Sequence, residues 1–186
     1  MRTTMLMSAL ALVAGPAFAQ AVPPTAGPMS TTGPMAAGQL PCPTPAALPP
    51  ELAGWTAAVP VKAAVSGEPA TATIEPGRGV RATLSPVDQL RYPVAPGHAG
   101  EPGTTGGLLA FAVSRAGTYR VALGAGAWID VVRDGRALVS IAHGRGPACS
   151  PIRKTVDFTL APGRYLLEVS GNATPVLALM IAPIAS

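Results

Sequence analysis

From about Ala57 onward, apolar residues recur at every second position along several short segments of the chain. Such alternation turns one set of side chains inward and the other outward, which is typical of half-buried antiparallel strands. The apolar run Val176–Ala182, bracketed by two prolines, is predicted to be a further buried strand. The side chains predicted to face the core are Phe111, Tyr119, Val121, Val156, Phe158, Leu167 and Val169.

Turn-forming residues separate the alternating segments. Asp134-Gly135 lies between the apolar runs 129–132 and 137–141, and this dipeptide favours a tight hairpin because both residues accept positive φ. The 21 Gly and 22 Pro among 186 residues argue against a helical bundle, since both are poor in helix interiors. We therefore predict an all-β fold, a single antiparallel β-sandwich of jelly-roll type, with a closed barrel as the alternative. Pro93–Gly107 shows no strand pattern and is predicted to be a long loop.

The first 19 residues are predicted to be a secretory signal peptide. Arg2 supplies a positive start, Met5–Val13 is an apolar run, and Ala17-Phe18-Ala19 fits the small-x-small cleavage pattern. The apolar run is shorter than the roughly 20 residues that a spanning helix needs, so no membrane span is expected. The protein is accordingly predicted to be exported, to the periplasm or the medium.

Residues 20–50 form a second compositional zone, rich in Pro, Ala and Gly and free of charged residues. A segment without a periodic apolar pattern cannot bury a core, so it is predicted to be an extended linker. Residues 49–53 are expected to form one helical turn, with proline tolerated at its start. The predicted order is signal peptide 1–19, linker 20–50 and β-sandwich domain 51–186, with ordered structure starting near Cys42.

Two segments carry a resemblance to a known class. Ala116–Val121, with the sequence Ala-Gly-Thr-Tyr-Arg-Val, and Leu160–Val169 both place a turn directly before an alternating strand. In this they resemble secreted pre-peptidase C-terminal-type β-sandwich modules, which implies an accessory module and not an enzyme. The whole chain is also similar to small exported proteobacterial proteins of unassigned function, some of which carry a homogentisate 1,2-dioxygenase label.

The chain has two cysteines, Cys42 and Cys149. Two cysteines in an exported chain usually pair, because the compartment is oxidising. A disulfide would join the end of the Pro-rich segment to the loop 142–150. A metal or redox thiol is the alternative.

The loop 142–150 is polar and Gly-rich, and loops held by a rigid scaffold often bind ligands. His143 and Arg145, followed by Arg153 and Lys154, are the candidate ligand-binding residues. Their charge points to an anionic envelope glycan or a peptide carboxylate. The alternative is an ordinary turn with an exposed histidine. Apart from Arg153-Lys154 the positive charges are scattered singly, so nucleic acid is not an expected partner.

A metal site is the competing interpretation. His98, Glu101 and His143 would supply two imidazoles and one carboxylate, the ligand set of non-haem iron oxygenases. All three residues are expected in Gly/Pro-rich loops, whereas metal sites favour ligands on rigid elements. No catalytic residue is assigned, since the chain also lacks the Gly-x-Ser-x-Gly nucleophile motif.

Trp55 and Trp128 are predicted to be core anchors rather than sugar-stacking residues. Asp130 is predicted to point outward, with Ile129 and Val131 pointing inward. The sequence therefore favours an exported, non-catalytic binding or accessory module of the cell envelope, without a cofactor. The alternative is a small metal-dependent enzyme of the iron dioxygenase kind.

Overall fold

The computed structural model describes residue 42, residues 44–67 and residues 72–184. The predicted signal peptide and most of the predicted linker lie outside the described residues. The described residues form eleven strands in two sheets that enclose one core. The all-β sandwich is thus confirmed, and the fold is not a barrel.

The six-stranded sheet has the order β1-β2-β11-β5-β9-β8. Its strands are β1 Val59–Lys62, β2 Gly79–Thr83, β5 Gly117–Leu123, β8 Ala142–Gly144, β9 Lys154–Leu160 and β11 Val176–Ile184. The five-stranded sheet has the order β3-β4-β10-β6-β7. Its strands are β3 Ser85–Pro86, β4 Thr105–Val113, β6 Trp128–Arg133, β7 Arg136–Ala137 and β10 Gly163–Asn172.

The connectivity is that of a jelly roll. The chain crosses from one sheet to the other six times, between β2 and β3, β4 and β5, β5 and β6, β7 and β8, β9 and β10, and β10 and β11. As a result β11 lies between β2 and β5, and β10 lies between β4 and β6. Strands that are distant in sequence become neighbours, as in the two nested Greek keys of that fold.

One pair departs from the antiparallel prediction. β1 runs parallel to β2, with Val59 opposite Val80. A parallel pair needs a long crossover connection, and the stretch of sequence between Lys62 and Gly79 is long enough for one. The six-stranded sheet is therefore mixed at this edge.

The seven strand side chains predicted to face the core are all buried. They face one another between the two sheets, where the ring of Phe111 stacks on that of Tyr165 with centroids 5.3 Å apart. The Asp134-Gly135 hairpin is also confirmed: φ is 51° at Asp134 and 71° at Gly135, the positive values that a type I′ turn requires.

The predicted loop Pro93–Gly107 is wrong at its end, because β4 begins at Thr105. Gly106 and Gly107 belong to this strand. A Cβ on Gly106 would collide with the Val169 carbonyl, and one on Gly107 with the Ala63 side chain. Small residues that resemble a loop in sequence here permit close packing of neighbouring chain segments.

The predicted strand after the hairpin is also divided. β7 ends at Ala137, residues 138–141 leave the five-stranded sheet, and β8 joins the other sheet at Ala142. The predicted loop 142–150 therefore begins as a strand, because Ala142–Gly144 pairs with β9.

The predicted helical turn is a 3-10 helix, Pro50–Ala57. It covers the outer face of the six-stranded sheet, where Leu52 and Trp55 pack on Met180 and Ile152. The prediction that Trp55 is a core anchor is thereby confirmed. Within the described ranges, no helix has the length and apolar character needed to cross a membrane.

The predicted disulfide is present. Cys42 and Cys149 are bonded, with their Cα atoms 5.5 Å apart and a sequence separation of 107. The Ala46 amide also donates a hydrogen bond of 3.1 Å to the Cys149 carbonyl. The entry of the chain into the domain is thus tied to the loop that follows β8.

Candidate functional site

A cavity of about 400 Å³ opens at one edge of the sandwich, between the β6–β7 edge of one sheet and the β8–β9 edge of the other. Apolar side chains from both sheets form part of its wall, including Ile129, Val156 and Phe158. Its polar groups come from Trp128, Asp130, His143 and Lys154. We call this cavity the Trp128 cleft. A mostly apolar recess with a few convergent polar groups is the usual form of a ligand site.

Trp128 is the main correction to the sequence analysis. It is 41% exposed and not a core anchor. The alternation of β6 sends Ile129 and Val131 into the core, so Trp128, one position earlier, points away from it. The signal was present in the sequence, because Trp128 and Asp130 occupy the same alternate positions of one strand.

Asp130 fixes the indole. Its Oδ2 accepts a hydrogen bond of 2.9 Å from Trp128 Nε1 and one of 3.0 Å from the Gly97 amide. Gly97 lies so close to the indole that an added Cβ would stand 3.0 Å from Trp128 Cζ2. Asp130 is half-buried, with Ile129 and Val131 buried beside it, as predicted. The exposed ring is therefore held in one position.

Lys154 brings a cation to the same ring. Its Nζ lies 5.2 Å from the centroid of the Trp128 ring and donates a hydrogen bond of 2.9 Å to the Ala127 carbonyl. Partial burial lowers the pKa of Lys154, although the charge of Asp130 acts in the opposite direction. Within the described part of the chain, Lys154 forms no ion pair. The ammonium group is thus partly removed from water, and no described carboxylate forms an ion pair with it that would make up for the lost hydration.

The other predicted ligand-binding residues divide into two groups. His143 lies on β8 opposite Val156, is exposed, and lines the Trp128 cleft with Lys154. Arg145 and Arg153 are also exposed but do not line the cleft. The fold therefore brings two of the four predicted residues together, beside a tryptophan that sequence reasoning had assigned to the core.

The alternative metal ligands do not come together. His98 Nδ1 accepts a hydrogen bond of 3.1 Å from the Gly100 amide, and its ring lies 6.1 Å from that of Trp128. Glu101 is exposed, and its backbone carbonyl accepts a hydrogen bond from Thr104. Among the described residues, no group of three or more His, Cys, Asp or Glu side chains is arranged to hold a metal ion, and His98, Glu101 and His143 are no exception.

A buried carboxyl group next to Asp130 was not predicted. Glu168 on β10 is only 1% exposed and stands opposite Asp130 in the sheet. Its Oε1 lies 3.4 Å from the Val94 amide, which donates to it, while Oε2 has no hydrogen-bond partner. Burial, with a smaller contribution from Asp130, raises the pKa of Glu168 to about 7. In sequence it alternates with Leu167 and Val169, which predicts an exposed position.

The loop over Glu168 explains this burial. Residues 92–100 lie against the outer face of the five-stranded sheet, where Tyr92 donates a 2.7 Å hydrogen bond to the Val169 carbonyl. Ser170 donates a short hydrogen bond to the His98 carbonyl. Val94, Gly97 and His98 are thus all held by side chains of the sheet. The loop in turn supports the indole of Trp128 through Gly97.

Comparison with known proteins adds no assignment. Neither the known protein-family models nor the curated proteins contain a match to this chain.

Proposed function

We propose that the protein is an exported, non-catalytic binding module of the cell envelope that holds an anionic ligand in the Trp128 cleft. One observation carries the proposal: Lys154, partly buried and without an ion pair in the described part of the chain, lies over an exposed and fixed indole. An anionic group would supply the electrostatic stabilisation that the ammonium group of Lys154 has lost through partial removal from water.

The apolar wall supports a ligand with a hydrophobic portion next to its charge. Ile129, Val156 and Phe158 come from two different sheets and are fixed by the core. A rigid recess reduces the ordering cost of binding. Trp128 offers amphipathic contact area at its rim, which suits either a sugar ring or an apolar side chain.

Export is supported by two independent features. The first 19 residues have the pattern of a signal peptide, and the Cys42–Cys149 disulfide is compatible with an oxidising compartment. A binding module with a covalently fastened loop suits an environment outside the cytosol.

The test is a titration of the purified mature protein with two anionic probes, a uronate oligosaccharide and an acidic peptide. Tryptophan fluorescence and calorimetry report binding, and a neutral oligosaccharide of equal length is the reference. We expect at least one anionic probe to bind. Lys154→Gln should lower the affinity for that probe by about tenfold, because charge-assisted hydrogen bonds are among the strongest hydrogen bonds in proteins.

Two further variants sharpen the result. Trp128→Phe should abolish the fluorescence change, because the other tryptophan, Trp55, is buried and does not line the cleft. Arg81→Gln, at an exposed position on β2, removes the same charge elsewhere and should leave affinity unchanged. Binding by neither anionic probe, or equal loss in Arg81→Gln and Lys154→Gln, would contradict the proposal.

A further inference from the structure

The strand β8 is an open edge beside the Trp128 cleft. Among the residues that the structure describes, it is the last strand of the six-stranded sheet and pairs only with β9. All three of its residues are exposed. An open edge presents unpaired backbone groups to which another extended chain can bond.

Exposed apolar side chains gather at this edge. Val139 is 88% exposed and Ile141 is 58% exposed, and both belong to the segment that leads into β8. With Trp128 they make up three of the five large apolar side chains exposed in the described part of the chain. Exposed apolar groups concentrated in one place mark an interaction surface.

The same region is strongly cationic. Residues 136–156 contain Arg136, Arg145, Arg153 and Lys154 but no Asp or Glu. His143, on β8 itself, adds an imidazole side chain that lines the cleft. The nearest acids in sequence already have partners: Asp157 accepts two hydrogen bonds of 2.8 Å from Arg120, and Asp134 lies 3.4 Å from Arg133. Asp130 also lines the cleft, where its carboxylate accepts hydrogen bonds from Trp128 and Gly97.

The edge is also held rigid. The Cys42–Cys149 disulfide fastens the loop that follows β8, and pairing with Thr155, Val156 and Asp157 fixes the strand itself. A preformed edge lowers the ordering cost for a partner that adds to it.

From these features we infer that β8 and the Trp128 cleft together dock an extended acidic peptide segment of a partner protein. The segment pairs with β8 as an added strand and places an apolar side chain in the cleft, while its carboxylates face Lys154, His143 and Arg145. In such strand addition, backbone hydrogen bonds supply affinity and pockets for alternate side chains supply specificity. The inference rests on the proposed function and names the partner class for that same site.

The closing experiment uses the purified mature protein and an acetylated, amidated octapeptide of alternating Glu and Val. A matched peptide carries N-methyl groups on its central residues, which removes backbone donors but keeps every side chain and charge. We expect the parent peptide to bind and the N-methylated peptide to bind about tenfold more weakly. Amide exchange within Ala142–Gly144 should slow only with the parent peptide.

Charge is tested separately. Arg145 lies beside the edge but outside the cleft. Arg145→Glu should therefore lower the affinity for the acidic peptide about fivefold without altering the fold. Arg81→Gln is again the control on a distant strand. A peptide of alternating Lys and Val should not bind the parent protein.

The outcomes separate the two proposals. If the uronate oligosaccharide binds through Lys154 and the peptide does not, the anionic-ligand function stands and the strand-addition inference is overturned. Equal affinity for the parent and N-methylated peptides also overturns the inference. Light scattering reports whether the protein is a dimer. If it is, and if Arg145→Glu dissociates the dimer, a second copy covers β8 and the inference is again wrong. If neither anionic probe binds, both proposals fail.

Discussion

Two side chains of this sandwich do not have the burial that simple alternation along their strands predicts. Glu168 and Trp128 exchange their expected environments: the carboxyl group is buried and the indole is exposed. Period-two reasoning assigns each residue to a face of its sheet but does not say what covers the outer face. Here the loop 92–100 covers Glu168, and no sequence pattern predicts that a segment without regular structure will lie there.

Glu168 should make stability depend on pH. Its folded-state pKa of about 7 lies above the ordinary value of 4.5, so the folded state holds this proton more tightly than the unfolded chain. The resulting stabilisation is fully present below about pH 4.5 and is lost progressively as the pH rises through about 7. At about 1.4 kcal/mol for each tenfold difference in acidity, the loss is on the order of 3 kcal/mol.

Urea unfolding at about pH 5 and about pH 8 measures this effect. Glu168→Gln should be more stable than the parent protein at the higher pH and should flatten the dependence. The groups facing Glu168 are Asp130 and Tyr92, and both remain in the variant. Glu101→Gln, at an exposed site, is the control. An unchanged pH dependence in Glu168→Gln would assign the effect to another group.

Phe158 tests the core at the wall of the cleft. The ring is 2% exposed and lies between the sheets, so Phe158→Ala should lower the free energy of unfolding by about 3–5 kcal/mol. Chemical denaturation followed by circular dichroism provides the measurement. A loss below about 1 kcal/mol would mean that the ring is not packed as described.

The elements that could be predicted from the sequence are those whose signals are local in the chain. The Asp134-Gly135 turn and the strands containing Phe111, Tyr119 and Phe158 follow from turn residues and alternation. The parallel pairing of β1 and the short strand β8 do not, because both depend on partners distant in sequence. Within the site, charge identified His143 and Lys154, whereas the role of Trp128 required knowledge of which sheet edge it occupies.

The hairpin between β6 and β7 can be tested at one position. Gly135 has φ of 71° and no neighbouring atom within 4 Å of an added Cβ, so substitution there is opposed by backbone conformation and not by space. Gly135→Ala should cost about 1 kcal/mol. Thermal unfolding measures the change, and Gly126→Ala, with open space and no positive φ, is the matched control. Equal effects of the two substitutions would contradict this account.

At the scale of the whole molecule, one covalent bond spans most of the domain. The Cys42–Cys149 disulfide closes a loop of 107 positions, which the chain-entropy description values at about 4–5 kcal/mol. The double variant Cys42→Ser, Cys149→Ser should lose about this much stability. Alkylation of the denatured, non-reduced parent protein should label neither cysteine. Full labelling of both would mean that the mature protein lacks the bond.

The predicted processing of the chain lies outside the described residues and has its own test. Intact mass of the protein recovered from the periplasm or medium should correspond to a chain that starts at Gln20, because Ala17-Phe18-Ala19 fits the cleavage pattern. A mass that includes residues 1–19 would contradict the predicted cleavage.

The same disulfide determines how the domain would bear mechanical load. A pull on the chain ahead of Cys42 passes through the sulfur–sulfur bond directly to Cys149, so the covalent path of the force omits the residues between the two cysteines. If the opposing pull acts beyond β11, the force runs along β9, β10 and β11, each of which has a strand on both sides. Lys154, at the start of β9, lies near the beginning of that path. Such a force would therefore reach the edge that holds the Trp128 cleft before it reaches the centre of the sandwich.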